Sequence, residues 1–414
     1  MIARTRIGQF IGLLLAVLLV TVTVARVSAA PRPPSAEIRG VWLTNVDSQV
    51  LFSTSALKKA ISRLAKLKFN TIYPTVWQGG YTLYPSEVAE ETFGVTIDPT
   101  EPGLSGRDML AEAIAEGHSR GMTVIPWFEY GFWVPTNTEL AQTHPDWLTQ
   151  RFDGTIAELK GDNVPIAWLN PFRPEVQQYM LDMLAEVITN YDVDGIQFDD
   201  HFGLPADYGY DAWTIDAFKQ SLGSVQLTPD VERYYWTRWR LDRLSEFVEK
   251  IHATVKAIDP DCIISLSPNP FLFSHTQFLQ DWFNWQQAGW IDELVIQVYR
   301  SDMGAFASEL SARELDLVRQ KTPVAIGILT GLKNRSTPIG TIEAQVREAR
   351  RRGFSGVSYF FYESLSEWSR EPRFLRNGRL RQLFAAPVTR TPTYASGSRE
   401  SLVERQPNEP PARR

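Results

Sequence analysis

Cysteine is nearly absent: Cys262 is the only one in 414 residues. One thiol makes no internal disulfide, so a chain of this size must hold itself together with a hydrophobic core. Cys262 opens an apolar stretch and is expected to be buried and inert. Histidine is almost as sparse. The five, His118, His144, His201, His252 and His275, are scattered with no HxH pair, which argues against the clustered ligands of a metal-dependent amidohydrolase. No lysine stands at the end of an apolar strand to form a Schiff base, and no glycine-rich fingerprint follows the first strand. Neither a cofactor nor a metal is expected. Positive charge is short as well, with 42 Lys and Arg against 48 Asp and Glu for a net charge of −6. An acidic surface repels nucleic acid and anionic membranes, so neither is an expected partner.

Only one long apolar run stands out, at residues 10–24, with Arg4 and Arg6 ahead of it and "VSA" at 27–29 behind. That order is the pattern of a secretory signal peptide over residues 1–29, and the run is short for a membrane span. Cleavage there removes Arg4, Arg6 and Arg26 and no acid, taking the formal charge from −6 to −9. The mature protein is expected in the periplasm or outside the bacterial cell, without stable membrane insertion.

What remains repeats one unit eight times: a short β-rich run, a polar loop, an amphipathic helix. The runs are "IRGVWLTNV" from Ile38, "NTIYPTVW" from Asn70, "MTVIPWFEYG" from Met122, "DGIQFDD" from Asp194, "CIISLSPNP" from Cys262, "ELVIQVYR" from Glu293, "PVAIGIL" from Pro323 and "FSGVSYFFYES" from Phe354. Each is mostly apolar rather than alternating, as in parallel strands covered on both faces. Helical patterns such as "SALKKAISRLAKLKF", with Ser55 placed to cap, and "TIEAQVREARRRG", stopped by Gly353, lie between them. The fold class is α/β, a single-domain (β/α)8 TIM barrel over residues 36–385. Long loops follow strands 2 and 3 and are expected to wall a pocket. Residues 386–414, rich in Pro, Ser and Arg, are expected to be a disordered tail.

In such a barrel, function sits at the carboxyl ends of the strands. Read in order, these ends carry Trp42 and Asn45; Trp77; Trp127, Glu129 and, just beyond, Trp133; Asp199, Asp200 and His201; Asn269; Gln297 and Tyr299; Tyr362 and Glu363. Alternation puts Gln197 and Asp199 on the face inside the barrel, with Ile196 and Phe198 toward the helices. Adjacent buried carboxylates push one proton affinity upward, which is how a site obtains an acid and a base at neutral pH. Carboxylates among Trp and Tyr suit sugar: rings stack on pyranose faces, amides read hydroxyls, and a carboxyl pair cleaves the glycosidic bond. Asp199, Asp200, Glu129 and Glu363 are the candidate catalytic groups. One of Asp199 or Asp200 is expected to be the acid, and Glu129 or Glu363 the nucleophile or base. Trp42, Asn45, Trp77, Trp127, Trp133, His201, Asn269, Gln297, Tyr299 and Tyr362 are the candidate substrate-binding residues. The competing reading is a glycan-binding barrel without catalysis.

"EIRGVWLTNVDS", "FNTIYPTVWQGGYTLYPSE", "GMTVIPWFEYG", "AWLNP" and "DGIQFDDH", followed by "ELVIQVYR", resemble the bacterial glycosyl hydrolase-like 10 family over roughly residues 36–370. The resemblance implies a (β/α)8 barrel of the cell envelope and, for some members, similarity to enzymes that cut peptidoglycan glycan strands. It places the family's strand-4 acids on Asp199 and Asp200 and its strand-3 acid on Glu129. Against the DGxDxDxE strand of chitinase-like barrels, Gln197 replaces an Asp and His201 stands where the catalytic Glu would be.

Overall fold

The computed structural model describes residues 35–160, 164–365 and 367–392. The expected signal peptide and residues 393–414 of the expected tail lie outside them. Eight parallel strands close on themselves: β1 Ile38–Leu43, β2 Thr71–Gln78, β3 in two pieces Thr123–Val124 and Trp127–Phe128, β4 Gly195–Asp199, β5 Ile263–Ser267, β6 Glu293–Gln297, β7 Val324–Leu329 and β8 Gly356–Phe360. Each pairs with the next, and β8 pairs back onto β1 with Ile38 opposite Gly356. Outside them run α1 Thr54–Lys66, α2 Met109–His118, α3 Pro174–Asn190, α4 Pro229–Ile258, α5 Trp282–Gln287, α6 Arg313–Val318, α7 Ile339–Arg351 and α8 Arg373–Leu383. None of the described helices is long and apolar enough to cross a membrane.

Two apolar layers follow from strand alternation. Ile196 and Phe198 pack outward in the large layer between strands and helices, which also takes Cys262. A smaller layer fills the barrel: Ile38, Trp42, Tyr73, Ile125, Trp127, Val295, Ala325 and Phe361. The N-terminal signal of α1 differs from the expected one. Ser53, not Ser55, accepts the Ala56 N–H as cap, and Ser55 lies inside the first turn. Gly353 ends the α7 segment as expected, at φ +75°.

Both long loops carry structure of their own. Tyr81–Thr82 folds back on β2 as an antiparallel hairpin, and Trp133–Pro135, Glu158–Lys160 and Val164–Trp168 form a three-stranded antiparallel sheet above β3. Residues 386–392 depart from the tail expected there. Thr389 pairs with Ala36, and Arg390 enters the amino end of the barrel, where its guanidinium meets Glu293 at 2.5 Å and Thr71 at 3.0 Å. Tyr73 and Ser265 donate to the same Glu293 carboxylate. A buried carboxylate needs a cation, and the segment supplies it.

Candidate active site

The carboxyl end of β4 runs straight into Asp199, Asp200 and His201. Asp199 accepts the His201 backbone N–H at 2.8 Å, and its other oxygen lies 3.3 Å from His201 Nδ1. Gln280 donates to the backbone carbonyls of Asp199 and Phe202 and fixes the turn between them. Asp200 turns away from its neighbour: Asn269 Nδ2 donates to one oxygen and Gln297 Nε2 to the other, each at 2.9 Å. Glu129, just past β3, receives the hydroxyls of Thr44 and Thr75 at 2.8 to 3.0 Å.

Burial sorts these groups into two tiers. Glu129 is 3% exposed and Asp199 2%, whereas the side chains of Asp200 and His201 are 19% and 32% exposed. Burial, with the charge of Asp199 added, raises the Glu129 carboxyl to about 8. Burial also raises Asp199, although His201 beside it pulls the other way. Desolvation alone would lower His201, but Asp199 and Asp200 outweigh it and push the imidazole up to about 9. Tyr130 and Tyr299 are likewise raised, by burial first and then by neighbouring carboxylates.

Aromatic rings enclose the imidazole. Trp133 stacks on His201 at 6.0 Å, Trp168 at 6.5 Å, and the Tyr130 ring lies edge-on at 5.2 Å. Gly131 permits this closeness: at φ +47°, a Cβ there would sit 2.5 Å from the His201 carbonyl. Tyr299 packs on Phe360 at the opposite side, and Asn45 donates to Gln78 at 2.8 Å.

Glu129, Asp199, Asp200, His201, Asn269 and Gln297 thus come together, with Trp133 on the rim. Others fall elsewhere. Trp42 and Trp127 are almost wholly buried inside the barrel, and the Trp42 N–H is bound to Gln197 at 2.6 Å, so both form the floor beneath the site. Trp77 is a correction: it points outward, packs on Tyr179 of α3 and donates to the Gly131 carbonyl. Tyr362 is another, lying against the Arg63 guanidinium of α1. Glu363 binds the Ser48 hydroxyl at 2.5 Å. Thr44, Thr75 and Gln280 were missed. Thr44 and Thr75 carried a signal, since each shares a strand face with an inward residue, Trp42 or Tyr73.

Asp199, Asp200 and His201 each offer one ligand atom within 4.8 Å of the others. The amide donors on both oxygens of Asp200 hold its carboxylate in a fixed orientation at the mouth.

The family model for glycosyl hydrolase-like 10 matches residues 37–347. The chain belongs to this family. Glycosyl hydrolase DigH of Escherichia coli K12 is 27% identical over 266 residues, 59% of this chain and 53% of that protein. Glycosyl hydrolase YngK of Bacillus subtilis is 23% identical over 307 residues, 64% and 54% of the two chains. The chain spans about half the length of these curated relatives. In fold it is similar to the PgaB (BpsB) glycoside hydrolase domain from Bordetella bronchiseptica, with TM-score 0.56, 15% identity, and coverage of 79% of this chain and 94% of that one.

Proposed function

We propose that this chain hydrolyses glycosidic bonds in a bacterial cell-wall type of polysaccharide containing N-acetyl sugars. The observation that carries the reading is the two-tier cluster: buried Glu129 and Asp199 with raised proton affinities beneath Asp200 and His201, which reach the mouth. Cleavage needs a proton for the leaving oxygen and a carboxylate for the reacting carbon or its attacking water. Asp200 is the carboxylate, held by Asn269 and Gln297. His201, oriented by Asp199 and charged at neutral pH, delivers the proton. This division differs from the one expected from sequence, because Glu129 is too buried to touch a sugar and serves instead to keep a proton in the cluster.

The Arg-flanked apolar run at residues 10–24 supports action in the periplasm or outside the cell, where such a glycan lies. One observation favours the non-catalytic binding barrel: Asp200 is alone among Glu129, Asp199 and Asp200 in reaching the mouth. The test is incubation of the purified chain with peptidoglycan glycan strands, N-acetylglucosamine oligomers and an α-glucan, with mass spectrometry of the products. New reducing ends from the N-acetylated substrates are expected. Binding without products would install the binding barrel, and neither binding nor products would overturn both readings.

A further inference from the structure

Beside the mouth, the loops after β3, β4 and β5 enclose a groove of roughly 510 Å³. One wall is Pro205, Ala206 and Asp207 from the loop that carries the catalytic Asp200. The other is the short helix Phe271–Phe278 with Phe273 and Phe278, and Glu158 of the antiparallel sheet closes one side. We propose that this groove binds the sugar units flanking the scissile bond, which makes a polymer, not a small glycoside, the substrate; this rests on the hydrolase reading above.

The groove is held in register with the reacting groups. Leu204 N–H donates to the Phe278 carbonyl and Ala206 N–H to the Gln277 carbonyl, each at 2.9 Å. Gly203 allows that approach, since a Cβ there would lie 2.5 Å from the Phe278 carbonyl. Gln280, two residues past the helix, is the side chain that fixes the Asp199 to Phe202 turn. Both walls therefore move with Asp199, Asp200 and His201 as one body.

A line of rings leads outward from the site. His201 lies 6.5 Å from Trp168, Trp168 lies 6.3 Å from Phe278, and Phe278 lies 5.8 Å from Phe273. The line ends exposed: Phe273 is 49% and the adjoining Leu272 75% accessible. Rings left in water beside a catalytic mouth are platforms for the apolar faces of sugars, while Asp207, Thr276 and Gln277 supply hydroxyl-reading groups around them. Among the described residues no cation lines the groove, and Arg151 beside it is already bridged to Asp207 and Glu158. With exposed rings beside hydroxyl-reading side chains and carboxylates already paired to Arg151, the groove suits an N-acetylated glycan better than a densely anionic polyuronate.

The test is Phe273→Ala measured over a length series of N-acetylglucosamine oligomers. KM is expected to rise about 3- to 30-fold for the longest oligomers and to stay unchanged for the shortest one cleaved, with melting temperature unmoved because the ring is exposed. Phe273→Tyr restores the long-chain KM. Equal KM at every length, or an equal loss on the shortest substrate, overturns the proposal. If the wild type cleaves no glycan, the hydrolase reading fails by itself. The groove is then judged by binding of the polymer to wild type and Phe273→Ala, and equal affinity overturns it.

Discussion

Glu129→Gln separates stored protons from ordinary structure. The carboxyl is buried, meets two threonine hydroxyls, and has its proton affinity raised from 4.5 to about 8, chiefly by desolvation. In the unfolded chain it ionises near its ordinary value. Between those two values the folded state keeps a proton that the unfolded state has lost, so stability is full at low pH and falls as pH rises, by up to about 1.4 kcal/mol per pH unit. Summed over the window the upper bound is about 5 kcal/mol, and sharing of the proton with Asp199 and His201 reduces it to roughly 2 to 5 kcal/mol. Gln keeps the shape and accepts a threonine hydroxyl but does not titrate. Urea unfolding of both proteins should therefore agree near about pH 3.5, with the variant more stable by that amount near about pH 8.5. Parallel stability curves across this range would show that Glu129 is ionised throughout and would refute the stored-proton argument.

Trp77, near the end of β2, and Trp133, beyond β3, should behave differently. Trp77→Ala should cost about 3 to 5 kcal/mol in denaturant unfolding because it empties the contact with Tyr179, whereas Trp133→Ala, removing a half-buried ring, should cost less and weaken glycan binding in calorimetry. Arg390→Ala leaves Glu293 buried without its cation, so unfolding should show a loss of about 3 kcal/mol; a loss below about 0.5 kcal/mol would mean the C-terminal segment does not close the barrel. His201→Gln should lose at least about 100-fold in rate on a natural oligosaccharide yet retain much of the rate on an aryl glycoside whose leaving group needs no proton. Equal losses on both substrates would remove His201 as proton donor.

The barrel was legible because apolar runs such as "ELVIQVYR" suit strands covered on both faces, and the acids at their ends mark the mouth. Side-chain direction was less legible where a strand is irregular. Tyr73 and Thr75 point inward, and alternation would send Trp77 the same way. The pairing of β2 with β3 shifts register between Thr75 and Trp77, and that irregularity turns Trp77 to the helices. Tyr362 was misplaced because β8 ends at Phe360, before the chain turns outward. Composition alone misread residues 386–392. Arg390 has its place because Glu293, inside the barrel, lacks a cation among its strand neighbours, a need that appears only once the strands are closed. The two tiers of the acid cluster depend on loop packing around Gly131 and Gln280, which no strand pattern reports.

Cleavage of a glycosidic bond at this mouth depends on the Asp200 carboxylate and the groups behind it. Asp200→Asn keeps the shape but removes the carboxylate, so wild type and variant should be compared on one N-acetylated glycan for both reducing-end formation and binding. The variant should bind as the wild type does and form reducing ends at least about 100-fold more slowly. Equal rates from the two proteins would contradict this dependence.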